Sequence, residues 1–218
     1  MGGIHIQKKI GVIIILILLI MTLLPITTPA GDPENPEITD EQGDVYGILI
    51  TNPFITKLLI LFGIVNVEFI DSIDILSAWF YEQENESEYL FITIKTKNLE
   101  FSRQREAYTM IWMNNGTKWI AYFNTYSNGK VINSTIGDYN GTFYHKIESR
   151  FNVANNTITF RIPKNLIGDP QKGDILTHTC VKTFMEFTPL EALFLSIIFR
   201  GLILAIDLAF GNNYQIQY

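Results

Sequence analysis

The chain has 218 residues, of which 47% are hydrophobic and 13% aromatic, and its formal net charge is −6. This length suits one domain with a substantial core, and the acidic balance argues against nucleic acid as a partner, because phosphate binding needs a basic face. The single cysteine, Cys180, excludes an intramolecular disulfide and a cysteine-cluster metal site.

The N-terminal segment, residues 1–30, has the pattern of a signal peptide or a membrane anchor. Lys8 and Lys9 precede an apolar run over 10–24, and small residues follow up to Ala30. This order is typical of a secretory signal that is cleaved after Ala30. An uncleaved anchor is the alternative, because the uncharged stretch after the lysines is long enough to cross about 30 Å of hydrocarbon. Both interpretations predict an extracytoplasmic protein, secreted or anchored to the outer face of the cell membrane.

Residues 31–46 are predicted to be an acidic flexible linker. The stretch "GDPENPEITDEQGD" contains six acidic residues, two prolines and no basic residue. Such a segment has too little apolar surface to order itself, so we expect a solvated spacer before a folded domain at 47–218.

Two apolar segments of that domain begin like helices, each with a cap residue followed by proline, and they predict helices at 52–63 and 189–206. The second is too short for a transmembrane span, because only about 22 Å of helix separates Glu191 from Asp207. Arg200 also interrupts it, and a charged side chain inside a bilayer is costly.

Both predicted helices are apolar on nearly every side, which leaves two interpretations. Either they pack on each other and on the sheet, or they leave an apolar surface for a lipid, a hydrophobic ligand or a partner protein. The residues of such a surface would be Phe54, Leu58, Leu61, Phe194, Ile198 and Leu202.

The middle of the chain consists of short segments rich in β-branched and aromatic residues, separated by turn sequences such as "NNG" and "DYNG". The predicted strands are 65–70, 74–82, 88–97, 106–113, 117–125, 130–136, 142–150, 157–162, 174–184 and 213–218. Closely spaced strands without alternating helices indicate a mainly β protein, an antiparallel β-sandwich of jelly-roll type. The two short apolar helices and the N-terminal signal or anchor helix are additions to it.

Several stretches of the chain together suggest a family. They are "FIDSIDILSAWFYEQENESEYLFITIKTKNLE", the strand with Tyr108 and Trp112, "ITFRIPKNLIGDPQKGDIL" and "AIDLAFGNNYQIQY". Over roughly residues 70–218 this series resembles the secreted CBM9/DOMON-type β-sandwich modules. The resemblance implies a compact sandwich from a group with carbohydrate-binding members, haem-binding members and many members of no known role, and its DOMON side suggests His178 as the haem ligand.

Aromatic residues supply one candidate binding site. Trp79, Trp112 and Trp119, with Tyr108 and Tyr122, would form a sugar-stacking platform if they shared an exposed sheet face. The alternative is that they fill the core of the sandwich.

Acidic residues supply a weaker candidate. Asp71, Asp74 and Asp207 would hold Ca²⁺ through carboxylate oxygens if they met at one end of the sandwich. The alternative is that all three are solvated turn residues, so the expectation is no bound metal.

Catalytic chemistry has no recognisable signature in the chain. A nucleophile elbow, a P-loop, an HExxH sequence and a dinucleotide fingerprint are all missing. His145 and His178 fall in predicted strands, where ordinary strand positions explain them, and Cys180 is expected to fill core. We therefore expect no catalytic residue and no cofactor.

Five sequons predict N-glycosylation if the protein is exported through a glycosylating pathway. Their acceptors are Asn85, Asn115, Asn133, Asn140 and Asn155. All lie in or beside predicted turns, where a glycan would be exposed to solvent.

These observations together predict an exported, surface-exposed, non-catalytic binding module whose partner is a glycan, a lipid or another protein. The first alternative is a structural component of the cell envelope that docks through its apolar helices. The second is an enzyme with an unrecognised site.

Overall fold

The computed structural model describes residues 31–45, 71–99, 105–125, 131–141, 144–186 and 206–218. Within these ranges the chain forms twelve β-strands and three short 3-10 turns. The strands are β1 (Ile38–Thr39), β2 (Ile75–Tyr81), β3 (Tyr89–Thr96), β4 (Arg105–Asn114), β5 (Thr117–Thr125), β6 (Val131–Asp138), β7 (Tyr144–Lys146), β8 (Glu148–Asn152), β9 (Thr157–Pro163), β10 (Ile175–Glu186), β11 (Ile206–Phe210) and β12 (Tyr214–Gln215). The 3-10 turns are Glu84–Glu86, Val153–Asn155 and Lys164–Ile167.

Some predicted elements lie outside the described residues. They are the N-terminal segment 1–30, the helix at 52–63, the strand at 65–70, residues 189–205 of the second helix and the six apolar contact residues Phe54, Leu58, Leu61, Phe194, Ile198 and Leu202. None of the helices in the described ranges has the length and hydropathy needed to cross a membrane.

The strands form two antiparallel sheets, which confirms the mainly β prediction. The five-stranded sheet has the order β1-β2-β3-β9-β8, and the seven-stranded sheet has the order β11-β10-β4-β5-β6-β7 with β12 paired to β10. One apolar core joins the inner faces of the sheets. In that core the Phe80 ring meets Trp112 edge-on at 5.9 Å, and Phe160 meets Phe123 at 6.3 Å.

The predicted linker at 31–46 is corrected by the structure over its described part. Ile38 is fully buried in the core, and β1 pairs with β2 at Ala78 and Ser77. The Glu37 carboxylate is also buried, where it accepts hydrogen bonds from the amides of Gly31 and Phe80. Although its composition is acidic, the segment contains two buried apolar residues, Ile38 and Val45, and the hydrogen-bonded carboxylate of Glu37, and Ile38 and Glu37 hold it against the five-stranded sheet.

The single strand predicted at 142–150 is two strands in different sheets. β7 pairs with β6 in the seven-stranded sheet, whereas β8 pairs with β9 in the five-stranded sheet. The chain crosses between the sheets at Ile147, whose side chain packs against the core and whose amide donates to the carbonyl of Ser134.

The C-terminal boundaries also differ from the prediction. Ile206, predicted as the last residue of a helix, begins β11, in which Asp207 and Ala209 are buried while Leu208 and Phe210 are exposed. This period of two is that of a strand paired to β10. The strand predicted at 213–218 is limited to the two residues of β12.

A buried polar cluster fixes the end of β2. The Glu82 side chain is fully buried and forms an ion pair with Lys164. Its other carboxylate oxygen accepts hydrogen bonds from the Tyr214 hydroxyl at 3.0 Å and the Gln217 amide at 2.6 Å. The C-terminal segment is thereby tied to the strand that carries Trp79 and Tyr81.

Candidate functional site

The candidate site is the outer face of the five-stranded sheet. In β2, β3 and β9 the even-numbered residues Ala78, Phe80, Leu90, Ile92, Ile94, Ile158, Phe160 and Ile162 fill the core. Beyond the register shift between Ile75 and Ser77, the odd-numbered residues therefore point away from the core, because side chains alternate along a strand. Directly opposed residues on neighbouring strands share a face, so the pairing registers give the arrangement of this surface.

The outward side chains form three rows that run from β2 to β8. The aromatic row consists of Tyr81, Phe91, Arg161 and Glu148. The central row consists of Trp79, Thr93, Thr159 and Arg150. The lysine row consists of Ser77, Lys95, Thr157 and Asn152.

The aromatic row begins with a stacked pair. The rings of Tyr81 and Phe91 lie 4.9 Å apart at an interplanar angle of 16°. Phe91 is 7% exposed, whereas Tyr81 is half-buried and keeps part of its surface in solvent. Burial raises the pKa of the Tyr81 hydroxyl, so this group is a neutral hydrogen-bonding partner.

Arg161 in the same row is held on three sides. Its Nε atom is 3.0 Å from Glu86 Oε2, and its Nη1 atom is 3.0 Å from Glu148 Oε2. The guanidinium also lies over the Tyr89 ring, 3.5 Å from the centroid. Its charge is thus compensated within the protein, and the residue forms one wall of the face.

Two cavities open on these rows. The first cavity, about 630 Å³, is lined by the aromatic row with Gln83, Glu86, Ser149, Arg150 and Thr159. The second cavity, about 770 Å³, is lined by the central row, the lysine-row residues Lys95, Asn152 and Thr157, and Gly31, Pro33, Tyr81, Ala154, Asn155 and Asn156. Tyr81, Arg150 and Thr159 line both. The two cavities therefore adjoin, and together they can accept an extended ligand.

The segment that was predicted to be a linker forms one wall of the second cavity. Gly31 has φ +94°, and a Cβ atom there would lie 2.2 Å from the Phe80 carbonyl oxygen. Only glycine allows so close an approach to β2. This contact brings the segment to the second cavity, which Pro33 lines together with Trp79. Trp79 is 8% exposed although it points away from the core.

The predicted tryptophan platform does not form. Trp112 and Trp119 are directly opposed on β4 and β5, but they point inward, and Trp112 is fully buried. Tyr108 is fully buried as well. Trp79 lies in the other sheet, where its neighbours are Tyr81 and Phe91. Sequence reasoning missed these two residues because neighbouring strands are apolar at both parities, so alternation did not show which face of the sheet was outward.

The acidic candidates are only partly brought together. Asp207 meets Asp40 and Asp44, with one carboxylate oxygen of each within 4.8 Å of the others. Asp74 lies beside them and accepts from the Gly43 amide with both oxygens, whereas Asp71 pairs with a lysine, Lys97, at 2.8 Å. Asp40 and Asp44 belong to the segment that was expected to be solvated, so they were not among the predicted Ca²⁺ ligands.

Burial controls the charge state of this acidic cluster. Desolvation raises the pKa of Asp207 to about 6, with a contribution from the charges of Asp40 and Asp44, while hydrogen bonds from the Ile75 and Leu208 amides act in the opposite direction. Desolvation, with the charges of Asp44, Asp74 and Glu41, also raises the pKa of Asp40. Such a cluster either shares a proton or binds a hard cation through oxygen.

The remaining predicted residues are spread over the surface and the core. His145 and His178 are exposed and line neither cavity, and Cys180 is buried, with a thiol pKa that burial raises. Four sequon acceptors are exposed and the fifth is half-buried. The exposed acceptors are Asn85, Asn115, Asn140 and Asn155, and the half-buried one is Asn133.

No protein-family model, characterised protein or solved structure shows a significant match to this chain. The geometry of the outer face is therefore the basis for assigning a function.

Proposed function

We propose that the protein is an exported, non-catalytic binding module that holds a glycan chain across the outer face of its five-stranded sheet. The observation that carries this proposal is the pair of adjoining cavities, about 630 and 770 Å³, that meet at Tyr81, Arg150 and Thr159. The proposed export depends on residues 1–30, which would act as a cleaved signal or as a membrane anchor.

The lining of the cavities favours a glycan over a lipid. A sugar ring offers apolar C–H faces and polar hydroxyl groups, so its site needs aromatic surface together with hydrogen-bonding groups. Tyr81 and Trp79 supply the aromatic surface, while hydroxyls, amides and charged groups make up most of the remaining lining. An acyl chain would leave these polar groups without partners, which is costly.

Binding of soluble polysaccharides by the full-length chain tests the proposal. Calorimetric titration should detect at least one polysaccharide that binds, and Tyr81→Ala should weaken that binding about tenfold, because the variant removes the aromatic surface shared by both cavities. Tyr144→Ala is the matched control, since Tyr144 is 58% exposed on β7 in the other sheet. Equal losses in the two variants, or no binding by the parent, would contradict a glycan site on this face.

A specific observation also favours the structural alternative, a component that docks in the cell envelope. The outward residues of the seven-stranded sheet include several large apolar side chains, which we call the apolar face, with Lys182 and Thr109 between Leu208 and Tyr122 in the pairing register. It consists of Ile111, Ile120, Tyr122, Phe184, Leu208 and Phe210. Leu208 and Phe210 are 45% and 73% exposed. In this alternative the apolar face, together with the apolar segments around 52–63 and 189–206, is the contact surface.

Liposome flotation distinguishes this alternative from internal packing. Docking predicts that Phe210→Lys lowers the fraction of the protein that floats with lipid or requires detergent, without changing glycan binding. Flotation unaffected by that substitution would rule out Phe210 as part of the contact.

A further inference from the structure

We infer that the glycan is anionic, and that Arg150 and Lys95 bind its carboxylate or sulfate groups in the second cavity. This inference rests on the proposed glycan-binding function and specifies its ligand class.

The second cavity has an unusual charge balance for this protein. Arg150 and Lys95 both line it, and its described lining includes no aspartate or glutamate. The chain as a whole has a formal net charge of −6. A cavity whose only charged side chains are positive produces a local electrostatic field that attracts anions, even in a protein that is acidic overall.

The two cations are also free to bind a ligand. In the described part of the chain neither the Arg150 side chain nor the Lys95 side chain has a hydrogen bond or an ion pair, and both residues are exposed. Arg161 shows the contrast on the same face, since Glu86 and Glu148 both pair with it. Both acids that line the first cavity are thus engaged with Arg161, and among the described residues neither forms an ion pair with Arg150 or Lys95.

The positions of the two cations define the ligand further. Arg150 lies on β8 and Lys95 on β3, with β9 between them and a two-residue offset along the strands, so their backbones are about 12 Å apart. One ligand must carry at least two anionic groups to bind both. Arg150 lines both cavities, which makes it the central anchor.

Guanidinium chemistry suits carboxylate and sulfate equally well. The planar fork of arginine donates two parallel hydrogen bonds to such an oxyanion, while lysine acts as a point charge. Thr159 and Asn152, which neighbour Arg150 in the pairing register, offer hydroxyl and amide groups to the sugar itself. Arg150 therefore recognises the charge, and the aromatic and polar side chains recognise the sugar ring.

Calorimetric titration of the full-length chain in a non-ionic detergent tests this inference. Polygalacturonate is compared with its fully methyl-esterified form, and dextran sulfate with dextran, so each acidic polymer has a neutral partner. We expect at least one acidic polymer to bind at least about tenfold more tightly than its neutral partner, with affinity that falls as salt is added. The first pair identifies a carboxylate ligand and the second pair a sulfate ligand.

Three variants separate the inference from the proposed function. Arg150→Gln should weaken binding of the acidic polymer about tenfold, and Lys95→Gln less, whereas neutral polymers should be unaffected. Lys146→Gln is the charge-matched control, because Lys146 is an exposed residue of β7 in the other sheet. An equal loss in Lys146→Gln would mean non-specific attraction and would overturn the inference.

The remaining outcomes are also decisive. If neutral and acidic polymers bind equally and Arg150→Gln has no effect while Tyr81→Ala does, the glycan site stands and the anionic specificity is wrong. If no polymer binds, the proposed function and the inference fail together.

Discussion

The outer faces of the two sheets are chemically opposite. The five-stranded sheet presents rows of aromatic, hydroxyl and charged side chains around two cavities. The seven-stranded sheet presents the apolar face, in which Tyr122 and Phe184 lie 6.4 Å apart and Phe210 is the most exposed large hydrophobic residue of the described chain. One core thus separates a surface suited to a polar ligand from a surface suited to an apolar contact.

This difference shows how similar strands produce different surfaces. In β9 apolar and polar residues alternate, whereas β5 contributes Ile120 and Tyr122 outward as well as Ala121 and Phe123 inward. An outward apolar set of this size needs a covering element or a partner. The proposed glycan site and the apolar face therefore lie on opposite sides of the core, and occupation of one does not block the other.

The largest expected effect is on the free energy of unfolding, which should respond differently to the loss of a tryptophan inside the core and of one outside it. Trp112→Ala should lower the free energy of unfolding by about 3–5 kcal/mol, because it leaves a cavity between the sheets. Trp79→Ala should cost clearly less, because Trp79 packs outside the core against the wall of the second cavity. Urea unfolding measures both, and a Trp79 cost equal to that of Trp112 would show that the outer face is as firmly packed as the core.

The acidic cluster beside β2 and β11 predicts a pH dependence. A carboxyl whose pKa is raised in the folded state stabilises the protein below its unfolded pKa and loses that contribution as the pH rises through the folded value. For Asp207, with a folded pKa of about 6, the unfolding free energy should fall between about pH 4 and pH 7. The loss should be on the order of 2–3 kcal/mol.

Asp44→Asn provides the test of this cluster. Removing a neighbouring negative charge should lower the Asp207 pKa, reduce the pH dependence and stabilise the protein at neutral pH by about 1 kcal/mol. Glu84→Gln, at an exposed turn, is the control. If Ca²⁺ raises the melting temperature of the parent but not of Asp44→Asn, the cluster binds a cation rather than a shared proton.

Replacing the paired arginine of the outer face, Arg161, should destabilise the protein more than replacing the unpaired one, Arg150. Arg161→Ala removes two ion pairs and the contact with the Tyr89 ring, so we expect a loss of about 1 kcal/mol. Arg150→Ala should leave stability within about 0.5 kcal/mol, because no described side chain depends on it. A larger loss for Arg150→Ala would mean that its charge is structural, which would weaken its assignment as a ligand anchor.

The smallest effect concerns glycosylation. Asn155 lines the second cavity, whereas Asn115 lies in the turn between β4 and β5 of the other sheet. In protein from a glycosylating host, Asn155→Gln should restore ligand affinity by a few-fold if that sequon is occupied, and Asn115→Gln should not. Mass spectrometry of the two sites provides the occupancy, and restoration by Asn115→Gln instead would contradict the position of the ligand.

Much of the strand pattern is predictable from local composition, since β2, β3, β5, β9 and β10 were all expected within a few residues of their bounds. Turn sequences and β-branched runs act over short distances, so they mark where strands begin and end. The same signals failed at 142–150, because only contact with the core shows that Ile147 lies between two sheets.

The candidate site depended on contacts between residues distant in sequence. The pairing of β2, β3, β9 and β8 brings four side chains to one face: Tyr81, Phe91, Arg150 and Arg161. Gly31 approaches β2 from a segment whose acidic composition predicted that it would be exposed to solvent. Local sequence therefore determined that the chain is a β protein with short, closely spaced strands. Sheet pairing decided which side of each strand faces outward and which aromatic side chains lie beside which charged ones. Alternation alone cannot make this choice, because apolar residues occur at both odd and even positions of the strands.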